Sequence, residues 1–167
     1  MVGKYPCKSS RLSQEVGLKK GQFVETYRGE IITTEQADNR GLAHADDENF
    51  LFDFDKFADT PAFDPSRDYT CDGRHMGSPA RFINHSCEPN LRLFTVSFNH
   101  NDRNIYELAF FALHAIPAGE ELTFDYYDNG EEEEISDSKA KEFEEQKGYK
   151  PTKCLCGSVD CRRYFLH

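Results

Sequence analysis

Arg81-Phe82-Ile83-Asn84-His85-Ser86-Cys87-Glu88-Pro89-Asn90 places an amide, an imidazole, a hydroxyl and a thiol in four consecutive positions. A segment that only fills a core has little use for such a run, because every buried polar group needs a partner. Downstream comes Gly119-Glu120-Glu121-Leu122-Thr123-Phe124-Asp125-Tyr126-Tyr127, and near the end Cys154-Leu155-Cys156-Gly157-Ser158-Val159-Asp160-Cys161. That last stretch is a C-x-C-x4-C cluster. Three thiolates so close together suit tetrahedral zinc, which takes four ligands. Gly157 lets the backbone turn so that the sulfurs converge. On spacing alone the fourth ligand is Cys87, Cys71, Cys7 or a histidine.

Length and composition frame these motifs. With 167 residues the chain fits one domain with a small appendage. Hydrophobic residues make up 38%, with 14 Phe and 8 Tyr, enough for a core. Thirty acids against 20 Lys+Arg leave a formal charge of −10, unsuited to gripping phosphate backbones and suited to a basic polypeptide. The longest apolar run, Leu108 to Leu113, falls far short of the ~20 residues of a membrane helix. Met1-Val2-Gly3-Lys4-Tyr5-Pro6-Cys7 has no apolar stretch of the secretory kind. With no export signal, six cysteines point to metal or free thiols in a reducing compartment.

Short alternating runs predict a β-rich fold. Gln22 to Arg28 alternates as a strand, with a bulge expected at Gly29 before Glu30-Ile31-Ile32. Thr33 caps a helix running towards Ala43, with Gln36 in the reciprocal position. Phe50 to Phe54 reads as a strand, 59–68 as a loop, and Ser78-Pro79 as the start of a helical turn. Ile105 to Leu113 reads as a buried strand. Pro117-Ala118-Gly119 makes a turn before a strand over Glu120 to Tyr126. Residues 128–147 hold nine acids and three lysines. They read as a solvated linker with a short helix around Lys139 to Gln146, or as a mobile lid between the body and the cysteine-rich tail.

Taken in order, R-F-I-N-H-S-C-x-P-N, G-E-E-L-T-F-D-Y and C-x-C-G-x4-C-R closely resemble the SET-domain protein lysine methyltransferases. The cysteine tail and Tyr27-Arg28-Gly29-Glu30 resemble the class that modifies lysine 9 of histone H3, the suppressor-of-variegation type. Singly, Asn84 and His85 would read as turn residues, Tyr27 and Tyr126 as strand aromatics, and Arg81 as a surface cation. The ordered set gives them another meaning. The resemblance covers about residues 18–167 and implies a mostly β SET-domain (β-clip) fold. It also implies a knot-like C-terminal crossing and a small zinc-binding post-SET tail. The implied divisions are an atypical N-terminal segment (1–17), the SET domain (18–128), an acidic linker (129–150) and the tail (151–167).

The resemblance implies methyl transfer from S-adenosylmethionine to a lysine of the histone H3 tail, most specifically lysine 9, with di- or trimethylation. It implies that Arg81, Phe82, Asn84, His85 and Tyr126 bind the cofactor. Tyr126 and Tyr27 would line the lysine channel with their hydroxyls, and Phe124 would set product multiplicity. It makes Cys87 the partner of Cys154, Cys156 and Cys161 at zinc, with Arg162 to Phe165 packed against cofactor or peptide. The expected partner is the histone H3 tail or nucleosome, without sequence-specific DNA binding or membrane association. The expected state is a monomer in the nucleus, on heterochromatin. The chain departs from the family pattern in three places. Arg11 to Gly17 has one glycine and no aromatic where members carry a glycine-aromatic-glycine segment. Only Cys7 stands where the class has a cysteine-dense upstream module, so the leading residues resemble a replacement or a truncated start. Phe50 stands where the class often has tyrosine. A second reading is therefore a SET-like module that binds without turnover.

Overall fold

Hydrophobic alternation and tight turns break this chain into many short strands. The computed structural model describes residues 12–43, 50–97, 102–127 and 134–165. Among them the strands are β1 (Phe23–Tyr27), β2 (Glu30–Thr33), β3 (Leu51–Asp53), β4 (Tyr69–Asp72), β5 (Asn84–His85), β6 (Leu91–Val96), β7 (Glu107–Ala112), β8 (Thr123–Phe124), β9 (Thr152–Lys153) and β10 (Tyr164–Phe165). The helices are α1 (Thr34–Ala43) and α2 (Asp137–Lys147), and Pro79–Phe82 forms a 3-10 turn. Three sheets result, ordered β1-β7-β6-β8-β5, β2-β4-β3 and β10-β9. The mostly β expectation therefore holds.

The core sits under the five-stranded sheet. β7 is its most buried strand, and Phe110 and Leu108 pack with Ile83, Leu91 and Leu122 with almost no exposure. Burial of such side chains contributes roughly 1.5–3 kcal/mol each. The run Ile105 to Leu113 thus becomes the strand its apolar content predicts.

The expected bulge at Gly29 is corrected. There the chain leaves one sheet for another: β1 pairs with β7, while β2 pairs with β4. The irregularity in β1 lies earlier, between Phe23 and Glu25. Glycine is required at 29 because a Cβ there would come within 2.3 Å of the Asp72 carbonyl oxygen. The expected strand over Glu120 to Tyr126 is also shorter, only Thr123–Phe124. Leu122 instead donates to the Leu12 carbonyl at 2.8 Å, and Ser13 bridges Glu121, so the segment from Leu12 to Leu18 runs beside 116–122. β4 and β6 lie outside the sequence expectation. β4 pairs with β2, some forty residues earlier, and β6 pairs with β7, the strand that follows it.

The capping box forms as read. Thr33 N–H donates to Gln36 Oε1 at 3.0 Å, and Gln36 N–H donates to Thr33 Oγ1 at 3.2 Å. α2 covers the expected helix, capped by Ser136, whose Oγ accepts from Lys139 N–H, and closed by Gly148 in the left-handed region. In α2 itself only Ala140 is buried, so the helix is chiefly a solvated element. Residues 128–133 of the acidic linker lie outside the described residues.

β8 is laid between β5 and β6 and runs parallel to both. The 86–90 connection between those two strands therefore straddles β8, which is the crossing that the resemblance implies. It brings the first two motifs into one sheet.

Candidate functional site

The crossing is held by amide side chains. Asn90 is buried, and its Nδ2 donates to the Glu121 carbonyl at 2.8 Å and to Glu120 Oε1 at 3.1 Å. Thr123 N–H donates to Asn90 Oδ1 at 2.9 Å, so one side chain substitutes for missing sheet bonds. Asn84 Nδ2 donates to Glu121 Oε1 at 2.8 Å, and Ser86 N–H to the Phe124 carbonyl at 3.0 Å. His85 Nδ1 accepts from Tyr126 N–H at 3.2 Å, which assigns the ring proton to Nε2, 3.3 Å from Cys87 Sγ. Burial pushes the His85 pKa down to about 4 against the pull of nearby Asp125, so the ring is neutral near pH 7.

Behind the crossing lies a cavity of about 460 Å³ whose walls include Tyr27, Phe52, Arg81, Ile83, Phe124 and Tyr126. The Phe124 ring lies 4.7 Å from that of Tyr126 and 4.8 Å from that of Phe110. Tyr126 Oη donates to the Ile83 carbonyl at 3.1 Å, and Tyr27 Oη to the Phe50 carbonyl at 2.7 Å. Both hydroxyls commit their protons to main-chain oxygens and present lone pairs. The outer end of the cavity carries Asp53, Asp55, Lys56 and Arg92. Burial, aided by Asp53, raises the Asp55 pKa.

Of the candidate residues, Arg81, Tyr27, Phe124 and Tyr126 meet in this cavity. Asn84 faces Glu121, and His85 faces the tail. The Phe82 ring is partly exposed beneath the Arg81 guanidinium, 4.5 Å from it. Arg81 Nη1 donates to the carbonyls of Gly73 and Arg74, each at 2.8 Å. Its Nε is buried with no partner among the described residues.

The third motif closes over the first two. One ligand atom each from Cys87, Cys154, Cys156 and Cys161 lies within 4.8 Å of the others, with Cys87 and Cys154 at 3.9 Å. Zn–S bonds of about 2.3 Å put tetrahedral sulfurs roughly 3.8 Å apart, so the donor set fits zinc. Main-chain N–H groups of Arg162 and Arg163 donate to Cys87 and Cys161 sulfurs, each at 3.4 Å. Burial raises the thiol pKa of Cys87 to about 11 and that of Cys154 higher still. Burial also opposes ionisation of Cys156, but hydrogen bonds with Ser158 and the other cysteines bring its pKa down to about 6. Holding all four as thiolates needs a cation at the centre. Cys71 is buried in β4 apart from the cluster, its pKa pushed by burial to about 12. Cys7 lies outside the described residues.

Arg162 and Phe165 pack against the body beside the candidate cofactor residue His85. Arg162 makes a buried bidentate pair with Asp125, at 2.8 Å and 2.5 Å. The Phe165 ring meets His85 at 4.9 Å and stacks on Tyr127 at 5.6 Å. Both ion-pair partners stand inside motifs visible in the sequence, but nothing local pairs residues 37 apart. Asn90 and Gly73 (which abuts the Tyr27 hydroxyl) also gave no sequence signal for their roles.

Comparison with known proteins matches residues 16–127 to the SET domain family model. The chain is 45% identical over 159 residues to the histone-lysine N-methyltransferase, H3 lysine-9 specific dim-5, of Neurospora crassa, covering 89% of this chain and 45% of that protein. It is 40% identical over 149 residues to the histone-lysine N-methyltransferase Su(var)3-9 of Drosophila pseudoobscura pseudoobscura, covering 87% and 21%. A structure described as the structural basis for the product specificity of histone lysine methyltransferases superposes with a TM-score of 0.71 at 38% identity, covering 93% of this chain and 51% of that one. The structure of the Neurospora SET domain protein DIM-5, a histone lysine methyltransferase, superposes with a TM-score of 0.62 at 40% identity, covering 87% and 52%. The chain spans about half the length of these relatives, or less.

Proposed function

The chain belongs to the SET-domain family, and from that premise we propose that it transfers methyl groups from S-adenosylmethionine to lysine 9 of the histone H3 tail. The observation that carries the proposal is the meeting of Tyr27, Phe124 and Tyr126 on one cavity wall, beside the crossing of the two motifs. The relative named above as H3 lysine-9 specific, dim-5 of Neurospora crassa, supports the same substrate. Nuclear, chromatin-associated action follows from that substrate, and heterochromatin from the lysine 9 assignment.

Arg81, Phe82, Asn84, His85 and Tyr126 would hold the cofactor, whose sulfonium supplies an electrophilic methyl. The orphaned Arg81 Nε fits such a guest, since it is a buried donor awaiting an acceptor that the described residues do not offer. His85 and Asn84 tie the first motif to the second and so keep the cofactor-binding side in register with Tyr126. A target amine in the cavity can donate its N–H groups to the lone pairs of Tyr27 and Tyr126, which aims its own lone pair. The aromatic walls favour the cationic product. Phe124 has no hydroxyl to tether a methylated amine, so the amine can turn for further rounds, giving di- or trimethylation.

Cys87, Cys154, Cys156 and Cys161 would hold zinc in a closed, structural four-sulfur site, which fastens the tail beside Tyr126 and Tyr127. The net charge of −10 suits a basic tail, while the cavity mouth itself balances Asp53 and Asp55 with Lys56 and Arg92. β3 is an edge strand along that mouth, a place for an extended peptide to add a strand. Titration calorimetry with S-adenosylmethionine, paired with labelled methyl transfer to whole histone H3, tests the proposal. Cofactor binding with transfer is expected. Cofactor and histone binding without transfer would favour the non-catalytic module.

A further inference from the structure

The first motif, the second motif and the tail all meet at the His85 ring. Its side chain is 6% exposed and makes T-shaped contacts with the Phe165 ring at 4.9 Å and the Tyr126 ring at 5.2 Å, so the imidazole is clamped. The ladder between β5 and β8 lasts two residues. Just beyond it a side chain takes over, and Tyr126 N–H donates to His85 Nδ1 at 3.2 Å. An amide N–H can only donate, so Nδ1 is an acceptor and the ring proton sits on Nε2. Asp125 does not compete for that proton. It lies 3.7 Å from Nδ1, and its oxygens take the Arg162 guanidinium and Tyr127 N–H. On the other side of the ring, Nε2 lies 3.3 Å from Cys87 Sγ. With Cys87 as a metal-ligating thiolate this contact is an N–H···S bond, beside the one from Arg162 N–H at 3.4 Å. One rigid ring thus joins a ligand of the four-sulfur site to the main chain of Tyr126, whose phenol is anchored separately on the Ile83 carbonyl.

We propose that His85 is a positioning residue that couples the four-sulfur site to Tyr126: its Nε2–H supports the Cys87 sulfur while its Nδ1 fixes the Tyr126 amide. Filling the metal site and seating Tyr126 are then one event. The inference rests on the reading of the cysteine cluster as a zinc site, and it goes beyond the fastening of the tail. A donor to a ligating sulfur draws off part of the charge that four thiolates bring to one dication, and such outer partners strengthen metal binding. The coupling works in the other direction too. Without the ion the sulfurs are not drawn together, and Nε2–H loses its fixed acceptor. The tautomer that the Tyr126 amide requires then loses its support.

Two substitutions separate the two bonds, and both readouts are independent of catalysis. Asn puts an amide oxygen where Nδ1 stands and nothing at Nε2. Gln puts an amide nitrogen where Nε2 stands and nothing at Nδ1. Chelator competition measures zinc affinity, and NMR hydrogen exchange at the Tyr126 amide reports the other end. His85→Asn is expected to hold zinc about 10–100-fold more weakly, yet to keep the Tyr126 amide protected once loaded with zinc. His85→Gln is expected to hold zinc nearly as tightly as the unaltered chain, while its Tyr126 amide exchanges about tenfold faster. Chelation of the unaltered chain is expected to quicken the same amide. Equal zinc affinity in the unaltered chain and His85→Asn would overturn the coupling, as would a Tyr126 amide indifferent to chelation and to His85→Gln. An unaltered chain that takes up no zinc overturns the zinc reading and the coupling with it, an outcome distinct from zinc held equally well after His85→Asn. Should the variants not fold, the imidazole nitrogen spectrum of the unaltered, zinc-loaded chain decides. A proton on Nε2 is expected, and a proton on Nδ1 overturns the proposal.

Discussion

Phe124 makes a T-shaped contact with Phe110, lies beside Tyr126 and lines the cavity. Substituting Phe124→Tyr adds a hydroxyl that can hold water or the amine itself. Mass spectrometry of the products is expected to shift from di- and trimethyl towards monomethyl lysine, and an unchanged spectrum removes Phe124 from the specificity account. Tyr126→Phe leaves the Ile83 carbonyl without its donor and the amine without an acceptor. One such bond is worth about 0.5–1.5 kcal/mol, so kcat is expected to fall about tenfold with KM for the peptide little changed. At this scale the sequence was readable where chemistry is written in residue type. The imidazole and thiol of the first motif and the tyrosine of the second proved to be neighbours, and the amide bonds Glu121 of the second. It was silent where meaning lies in an encounter. Gly73 carries no sequence signal until Tyr27 is placed against it, and Asp125 is only one acid of the second motif until Arg162 arrives from the tail.

The tail from β9 to β10 is fastened by two devices of different chemistry, a sulfur cluster and the Arg162–Asp125 pair. Removing one partner of such a buried pair strands the other, at a cost of about 3–5 kcal/mol. Arg162→Ala is therefore expected to lower the unfolding midpoint steeply, whereas the double variant Arg162→Met with Asp125→Leu recovers much of the loss. A double variant no better than the single would mean that the pair is not what Arg162 contributes. Chelation tests the other device. Hydrogen exchange should quicken around 152–165 while β6 and β7 stay protected, because the core under the five-stranded sheet does not include the cluster. Equal loss of protection across the sheet would show that the metal organises the whole fold. Elements with a local signal, such as the capped α1 and the apolar β7, were legible in advance. The two-residue strand β5 was not, since it exists only where the crossing lays β8 beside it, and β8 keeps two residues of a longer expected strand.

Across the whole molecule, the net charge of −10 and the edge strand β3 beside the cavity converge on one kind of guest, an extended basic segment. Electrostatic steering of that kind weakens with salt, so KM for a histone H3 tail peptide is expected to rise between low and physiological ionic strength while kcat holds. A flat KM would shift the weight of recognition from charge to shape. The geometry around Tyr27, Phe124 and Tyr126 matters only if a lysine enters there to be methylated. The most direct measurement is mass spectrometry of a histone H3 tail peptide incubated with the zinc-loaded chain and S-adenosylmethionine, beside a peptide with arginine at position 9. Successive methyl additions confined to lysine 9, and none on the arginine peptide, are predicted. An unmodified first peptide, or equal modification of both, would contradict the account.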